Sequence, residues 1–162
     1  MKITSYLIEA HIFRVAGNRL EFLLMKRAGH KIFPGVWQMV TGNINKQEKA
    51  YETALREIKE ETGLTPAEFW VAPNVNSFYS ADDDSVCIIP VFAANVPYSS
   101  SVILSGEHSE YKWLEKEEAK KLLAWKGQRD SVDIIDEYFS SEKSFLEFVR
   151  VSETLKSKLK GK

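Results

Sequence analysis

The chain predicts an α/β fold, a mixed β-sheet with helices packed on its faces. Two observations lead there. Short apolar segments with strand patterning alternate with segments at helical spacing in the order β-β-β-α-β-β-β-α-α, and such an order buries a sheet under helices. The 162 residues are 44% hydrophobic and 12% aromatic, enough to build a core for one globular domain over 1–162.

Each element has a local reason. Apolar residues recur from Ile3 to Arg14 as in a strand. Ala16–Asn18 reads as a turn and Arg19–Arg27 as a second strand, so the N-terminal part predicts a hairpin. His30–Gly35 is a loop, because Pro34–Gly35 interrupts regular structure. Val36–Gly42 is a short strand ending at a glycine. From Glu48 to Thr62 there is no Gly or Pro, and Ala50, Tyr51, Ala54, Leu55 and Ile58 recur at helical spacing. Gly63 follows as a stop signal. Phe69–Ser80 and Val86–Val96 read as strands joined by a solvated turn at Asp82–Asp84, and Glu110–Leu114 as a further short strand. Glu115–Trp125 and Arg129–Phe139 predict helices, and 144–162 predicts an amphipathic helical extension.

Composition also narrows function. A formal net charge of −1 and a pI near 6.3 do not describe a general binder of nucleic-acid polymers, although a small phosphate ligand fits. Cys87 is the only cysteine, so no disulfide framework or thiolate zinc site forms within the chain. Its apolar neighbours predict a buried strand thiol. Lys2, Glu9, His11 and Arg14 interrupt the N-terminal apolar pattern, unlike a signal peptide. No apolar run approaches the ~20 residues of a membrane span. The expectation is a cytoplasmic protein without a membrane partner, as a monomer or a homodimer.

The most informative stretch is Thr41–Leu64. At about 100° of turn per residue, Glu57, Glu60 and Glu61 converge on one helix face. Leu55, Ile58 and Tyr51 point elsewhere, toward a sheet. Like charges so placed repel by a few tenths of a kcal/mol per pair, and a hard divalent cation reverses that sign. Arg56 and Lys59 leave a second reading open, an ordinary solvated helix face laced with ion pairs.

The spacing G-x5-E-x7-R-E-U-x-E-E-x-G-U, with U aliphatic, is that of the Nudix box. Gly42, Glu48, Arg56, Glu57, Ile58, Glu60, Glu61, Gly63 and Leu64 fill its defining positions. The chain thus resembles the Nudix hydrolases. The resemblance implies a Nudix fold, an α/β/α sandwich with a mixed sheet, and hydrolysis of a diphosphate linked to another group with Mg²⁺ or Mn²⁺. It implies Glu57, Glu60 and Glu61 as metal ligands, with Arg56 orienting a carboxylate, Glu48, by a charge-assisted hydrogen bond. Family loops often carry a second glycine after the first, a glutamate before the helix and Gly-Glu at its entry. Asn43, Asn45 and Gln47 stand in those places here, which bears on loop geometry.

Outside the box, the family often draws a further acid from a distant loop, as ligand or general base. Ser105–Leu114 offers Glu107 and Glu110, and Glu107 is the favoured candidate, against the plainer reading of a solvated loop glutamate. His108 reads as a structural or phosphate-contacting residue rather than a metal ligand. Lys26 and Arg27 are candidates for substrate phosphates, or a plain strand-end charge pair. Trp37 either stacks on a heterocycle or packs the sheet. Gly42 lets the backbone turn tightly beside the substrate.

The flanks "VWQMVTG", "EHSEYKWL" and "AWKGQRDSVDIIDEYF" resemble bacterial dihydroneopterin triphosphate pyrophosphatases. That likeness implies a small di- or triphosphate substrate, a pterin or (deoxy)nucleoside triphosphate, releasing pyrophosphate, and a place in folate biosynthesis. A dinucleoside polyphosphate hydrolase and a nucleotide-binding regulator without turnover are the alternatives. The intact box and the lack of room for a second domain weigh against the regulator.

Overall fold

The structure, a computed structural model, describes residues 1–151. The strands are β1 (Lys2–Thr4), β2 (Leu7–Ala16), β3 (Arg19–Arg27), β4 (Trp37–Gln38), β5 (Val40–Asn43), β6 (Glu68–Ser80), β7 (Ser85–Asn95) and β8 (His108–Glu115). The helices are α1 (Ala50–Thr62), α2 (Lys116–Leu122), α3 (Lys126–Ser141) and the single turn α4 (Lys143–Leu146).

One mixed sheet contains all these strands. β7 pairs antiparallel with β6 on one side and parallel with β1 and β2 on the other. β2 carries β5 along Leu7–Ala10 and β3 along Phe13–Ala16. β3 continues beside β4 and is lined along its other edge by β8.

Strand alternation sorts the core into two layers. Ile8, Ala10, Ile12, Leu23, Met25, Val40, Phe69, Phe92 and Ala94 join Ala54 and Ile58 of α1. Phe13, Phe22, Leu24, Met39, Trp70, Val91 and Ala93 join Ala119 of α2 and Val132 and Ile135 of α3. Helices thus cover both faces, an α/β/α sandwich. Ile58 is fully buried, worth about 2 kcal/mol as transferred side chain. Cys87 is fully buried in β7, as its neighbours predict.

Some elements differ from the sequence reading. The strand expected over Ile3–Arg14 is two strands, because its register against β7 slips by one residue between Thr4 and Glu9. The strand expected over Val36–Gly42 also divides. Trp37–Gln38 pairs with β3, and the chain then changes partner at Met39 so that Val40–Asn43 pairs with β2. The helix expected over Glu115–Trp125 stops at Leu122. Leu123 bridges Trp37, and the carbonyls of Leu123 and Ala124 each accept from Arg129 at 2.8 Å. The amphipathic helix expected over 144–162 does not run through its described part. It is α4 and a 3-10 turn to Val149, after which Arg150 bridges Trp70 and the Val151 N–H donates to the Phe69 carbonyl. Residues 152–162 lie outside the described residues.

α1 begins at Ala50 rather than Glu48, after a loop whose Gln47 is left-handed, at φ 72°. Gln47 stands where the family's entry glycine falls, and a side chain in this conformation costs roughly 1 kcal/mol. At the other end Gly63 adopts φ 70° and its N–H closes on the Lys59 carbonyl at 3.0 Å, the expected stop. Gln47→Gly is therefore expected to stabilise the protein by up to about 1 kcal/mol, raising the melting temperature by roughly 2–4 °C. Thermal unfolding of the two proteins side by side checks this.

Candidate active site

Gly42 and α1 meet first. A Cβ on Gly42 would stand 2.3 Å from Glu57 Cγ and 2.5 Å from its Oε1. Any other residue here would push the Glu57 side chain aside, so the glycine serves close approach rather than a left-handed φ. β5 thereby leaves room for the Glu57 side chain over Gly42.

Arg56 then ties the ridge together. Its Nε and Nη2 donate to the two Glu48 oxygens at 2.9 and 3.1 Å. Its Nη1 donates to Glu57 at 2.7 Å and to Glu60 at 3.0 Å, and Nη2 also reaches the Asn43 carbonyl at 3.3 Å. Glu48 further accepts from Thr53 Oγ1 at 2.9 Å. The Arg56 hydrogen bonds hold the Glu48 carboxyl down at about 2. Glu52 plays a separate part: its side chain accepts from the Lys49 N–H at 2.9 Å and caps the helix.

Glu61 has the opposite environment. It is buried and its Oε2 has no hydrogen-bond partner among the described residues; His108 Nε2 lies 3.9 Å away. Burial first, then the charges of Glu57 and Glu107, push its carboxyl up to about 9. Burial likewise raises Glu57, against the pull of Arg56. Glu107, at the loop preceding β8, pairs with Lys31 Nζ at 2.9 Å, and that bond lowers its pKa. His108 is buried, which lowers its pKa, and its Nε2 is 3.4 Å from Gln38 Nε2.

These groups suit a hard divalent cation. The donors are carboxylate oxygens, they repel one another, and one buried oxygen lacks a partner among the described residues. As they stand, no three acidic, His or Cys side chains among the described residues converge on one point. Arg56 draws Glu57 and Glu60, and Lys31 draws Glu107, each toward a cation of the chain itself.

A cleft of about 640 Å³ opens between the sheet and the start of α3. Thr41, next to Gly42, lines it, and so does Gln38, which connects through His108 toward Glu61. Phe33 and Trp125 form one wall, their rings 5.9 Å apart and edge-to-face. Glu9, Asn76 and Gln128 are buried polar residues of its lining.

The structure brings Glu57, Glu60, Glu61, Glu107 and Arg56 into one electrostatic group. Arg27 faces it too. Its charge acts on Glu61 and Glu107, while its guanidinium is held by the Ile32 carbonyl at 2.6 Å and Gln38 Oε1 at 3.3 Å. Lys26 turns the other way, to Glu110 at 3.6 Å and toward the Trp37 ring. Trp37 packs beside α2 under Lys112, outside the cleft lining. The aromatic wall comes instead from Phe33 and Trp125, which the sequence reading did not single out. Their signal was thin: an aromatic in a Pro-Gly loop and one at a helix junction, distant in sequence.

The chain matches the model of the NUDIX domain over residues 6–135. It is 30% identical over 117 residues to the asymmetrical bis(5'-nucleosyl)-tetraphosphatase of Mus musculus, covering 70% of this chain and 76% of that protein. A crystal structure from Listeria monocytogenes, described as a NUDIX hydrolase, superposes with a TM-score of 0.72 at 26% identity, covering 85% and 95% of the two chains. The dihydroneopterin triphosphate pyrophosphohydrolase of E. coli superposes with a TM-score of 0.69 over 82% of this chain and 97% of that one. At 21% identity that last likeness is one of fold.

The raised Glu61 carboxyl has a consequence for stability without metal. Between its usual value of 4.5 and about 9, the folded protein holds a proton that the unfolded chain releases. Stability from this group is fully present below the unfolded value and is lost as pH rises through that window. In chelator, the wild type is expected to lose on the order of 1 kcal/mol or more between mildly acidic and alkaline pH, and Glu61→Gln to lose less. Thermal melts across that pH range, with both proteins, read the difference.

Proposed function

From its membership of the Nudix family, whose domain model spans most of the chain, we propose that this hydrolase is a Mg²⁺-dependent pyrophosphohydrolase of heterocyclic triphosphates. Its substrate would be dihydroneopterin triphosphate or a (deoxy)nucleoside triphosphate, cleaved to pyrophosphate and the monophosphate. Mn²⁺ is the alternative cation, and the cytoplasm the expected compartment. A single observation carries the reading: a buried Glu61 oxygen without a partner among the described residues is linked through His108 and Gln38 to a cleft large enough for a heterocycle, with aromatic rings on its wall.

In this reading Glu57, Glu60, Glu61 and Glu107 would hold the cation. When bound, it neutralises phosphate charge, orients the attacking water and lowers that water's pKa. Arg56 keeps Glu48 and Glu57 in place through fixed hydrogen bonds. Arg27, oriented by Gln38 and the Ile32 carbonyl, offers positive charge toward the phosphates. Either Glu107 or a box glutamate would take the proton from the attacking water. The chain's role is positioning and electrostatics, as in other phosphoryl chemistry.

A second reading, a dinucleoside polyphosphate hydrolase, is favoured by the likeness to the mouse tetraphosphatase. A panel of triphosphates, dinucleoside polyphosphates and nucleotide sugars with Mg²⁺, with phosphate and pyrophosphate measured separately, distinguishes them. Pyrophosphate release from triphosphates is expected, and Glu60→Gln or Glu61→Gln should lower turnover by about a hundredfold or more while the protein still folds. Faster cleavage of a dinucleoside polyphosphate would replace the triphosphate reading, and no turnover of any substrate would leave a binding module.

A further inference from the structure

The cleft holds a second polar cluster, away from the carboxylate ridge. Glu9 of β2 is 6% exposed at the cleft floor, and its Oε2 accepts from Asn76 Nδ2 at 2.6 Å. Asn76 is itself fixed. Its Oδ1 accepts from Asn74 Nδ2 at 3.2 Å, and its Nδ2 also reaches Ser131 Oγ at 3.3 Å. Ser131 donates to the Gly127 carbonyl at 2.9 Å. α3 approaches so closely that a Cβ on Gly127 would stand 2.6 Å from Asn76 Oδ1. This network makes Asn76 a donor toward Glu9 and holds the carboxylate still. On the same cleft, Gln128 is 7% exposed and its Oε1 has no hydrogen-bond partner among the described residues.

We propose, resting on the triphosphate reading above, that Glu9 determines which ring the cleft accepts, by receiving paired N–H bonds from a ring that carries a ring N–H beside an exocyclic amino group. Guanine-type and pterin-type rings present that edge. Gln128 Oε1 supplies a further acceptor, and Asn76 is the positioning residue for Glu9. The donor–acceptor balance decides among rings. The cluster offers acceptors, a carboxylate has no donor to give, and a carboxylate matches two parallel donors. An adenine edge puts an acceptor nitrogen beside its amino group and meets the carboxylate lone pairs unfavourably. A uracil edge offers a single N–H. Phe33 and Trp125, edge to face on the cleft wall, offer an aromatic surface to any flat ring and add affinity without choosing among rings.

The test compares GTP with ITP, which differ by the exocyclic amino group alone, and guanosine with inosine, which carry no phosphate. The full chain is used, with Mg²⁺ for turnover. Wild type should prefer GTP over ITP in kcat/KM, and guanosine over inosine in Kd, by about tenfold or more, as for a hydrogen bond to a charged group. Glu9→Gln should bring both ratios close to one. Asn76→Ala should lower both ratios, an effect that loss of packing alone would not produce. Gln128→Leu should weaken guanosine binding. If Glu9→Gln does not fold, the wild-type guanosine-to-inosine preference decides. A wild-type ratio near one, or a ratio that survives Glu9→Gln, overturns the assignment. Nucleoside discrimination without pyrophosphate release from any triphosphate would uphold Glu9 and overturn the hydrolase reading instead.

Discussion

One guanidinium organises the acidic helix. Arg56 hydrogen-bonds Glu48, Glu57, Glu60 and the Asn43 carbonyl, and its planar fork of donors suits several carboxylates at once. On one side it fastens the loop that enters α1, since Glu48 belongs to that loop. On the other it lines up glutamates that would otherwise push apart. The Glu48 carboxyl, held down at about 2, gives stability that is present above the usual carboxylate value and is lost as acid approaches that pH. Removing Arg56 would leave a half-buried carboxylate without its cation, which costs more than losing an exposed ion pair.

From that fixed point the unfavourable features of the site fall into place. Glu61 is buried beside like charges, Glu57 presses onto a glycine, and Gln47 holds a left-handed backbone. None of these helps the fold. They cluster around one sheet edge, the kind of concentration of local cost that marks functional sites. The two hydrophobic layers on either side of the sheet supply the stability that permits it.

Much of the fold was legible because its signals are local. The α1 stripe, Gly63 and the β2–β3 hairpin all follow from spacing and turn residues. The divided strands were not legible, because an extended segment that changes partner at Met39 looks the same as one that does not. The acidic site was legible as a motif, since Glu57, Glu60 and Glu61 share one helix. The cleft was assembled from Glu9, Phe33, Asn76, Trp125 and Gln128, which only tertiary structure brings together. One trace did exist. Glu9 and His11 alternate with apolar residues in "LIEAHIF", and such a pattern in a strand covered on both faces marks buried polar groups in need of a purpose. Trp37 was the nearer aromatic in sequence, but strand direction turns it to Lys26 and Lys112.

The central claim is that the ridge carboxylates are kept for a cation, with Glu61 protonated until it arrives. Calorimetric titration of Mg²⁺ into the metal-free protein near neutral pH, in two buffers of different ionisation enthalpy, measures the protons released on binding. The expected result is about one proton per bound ion, with affinity rising with pH toward about 9. Binding without proton release, at an affinity that does not change with pH, would contradict it.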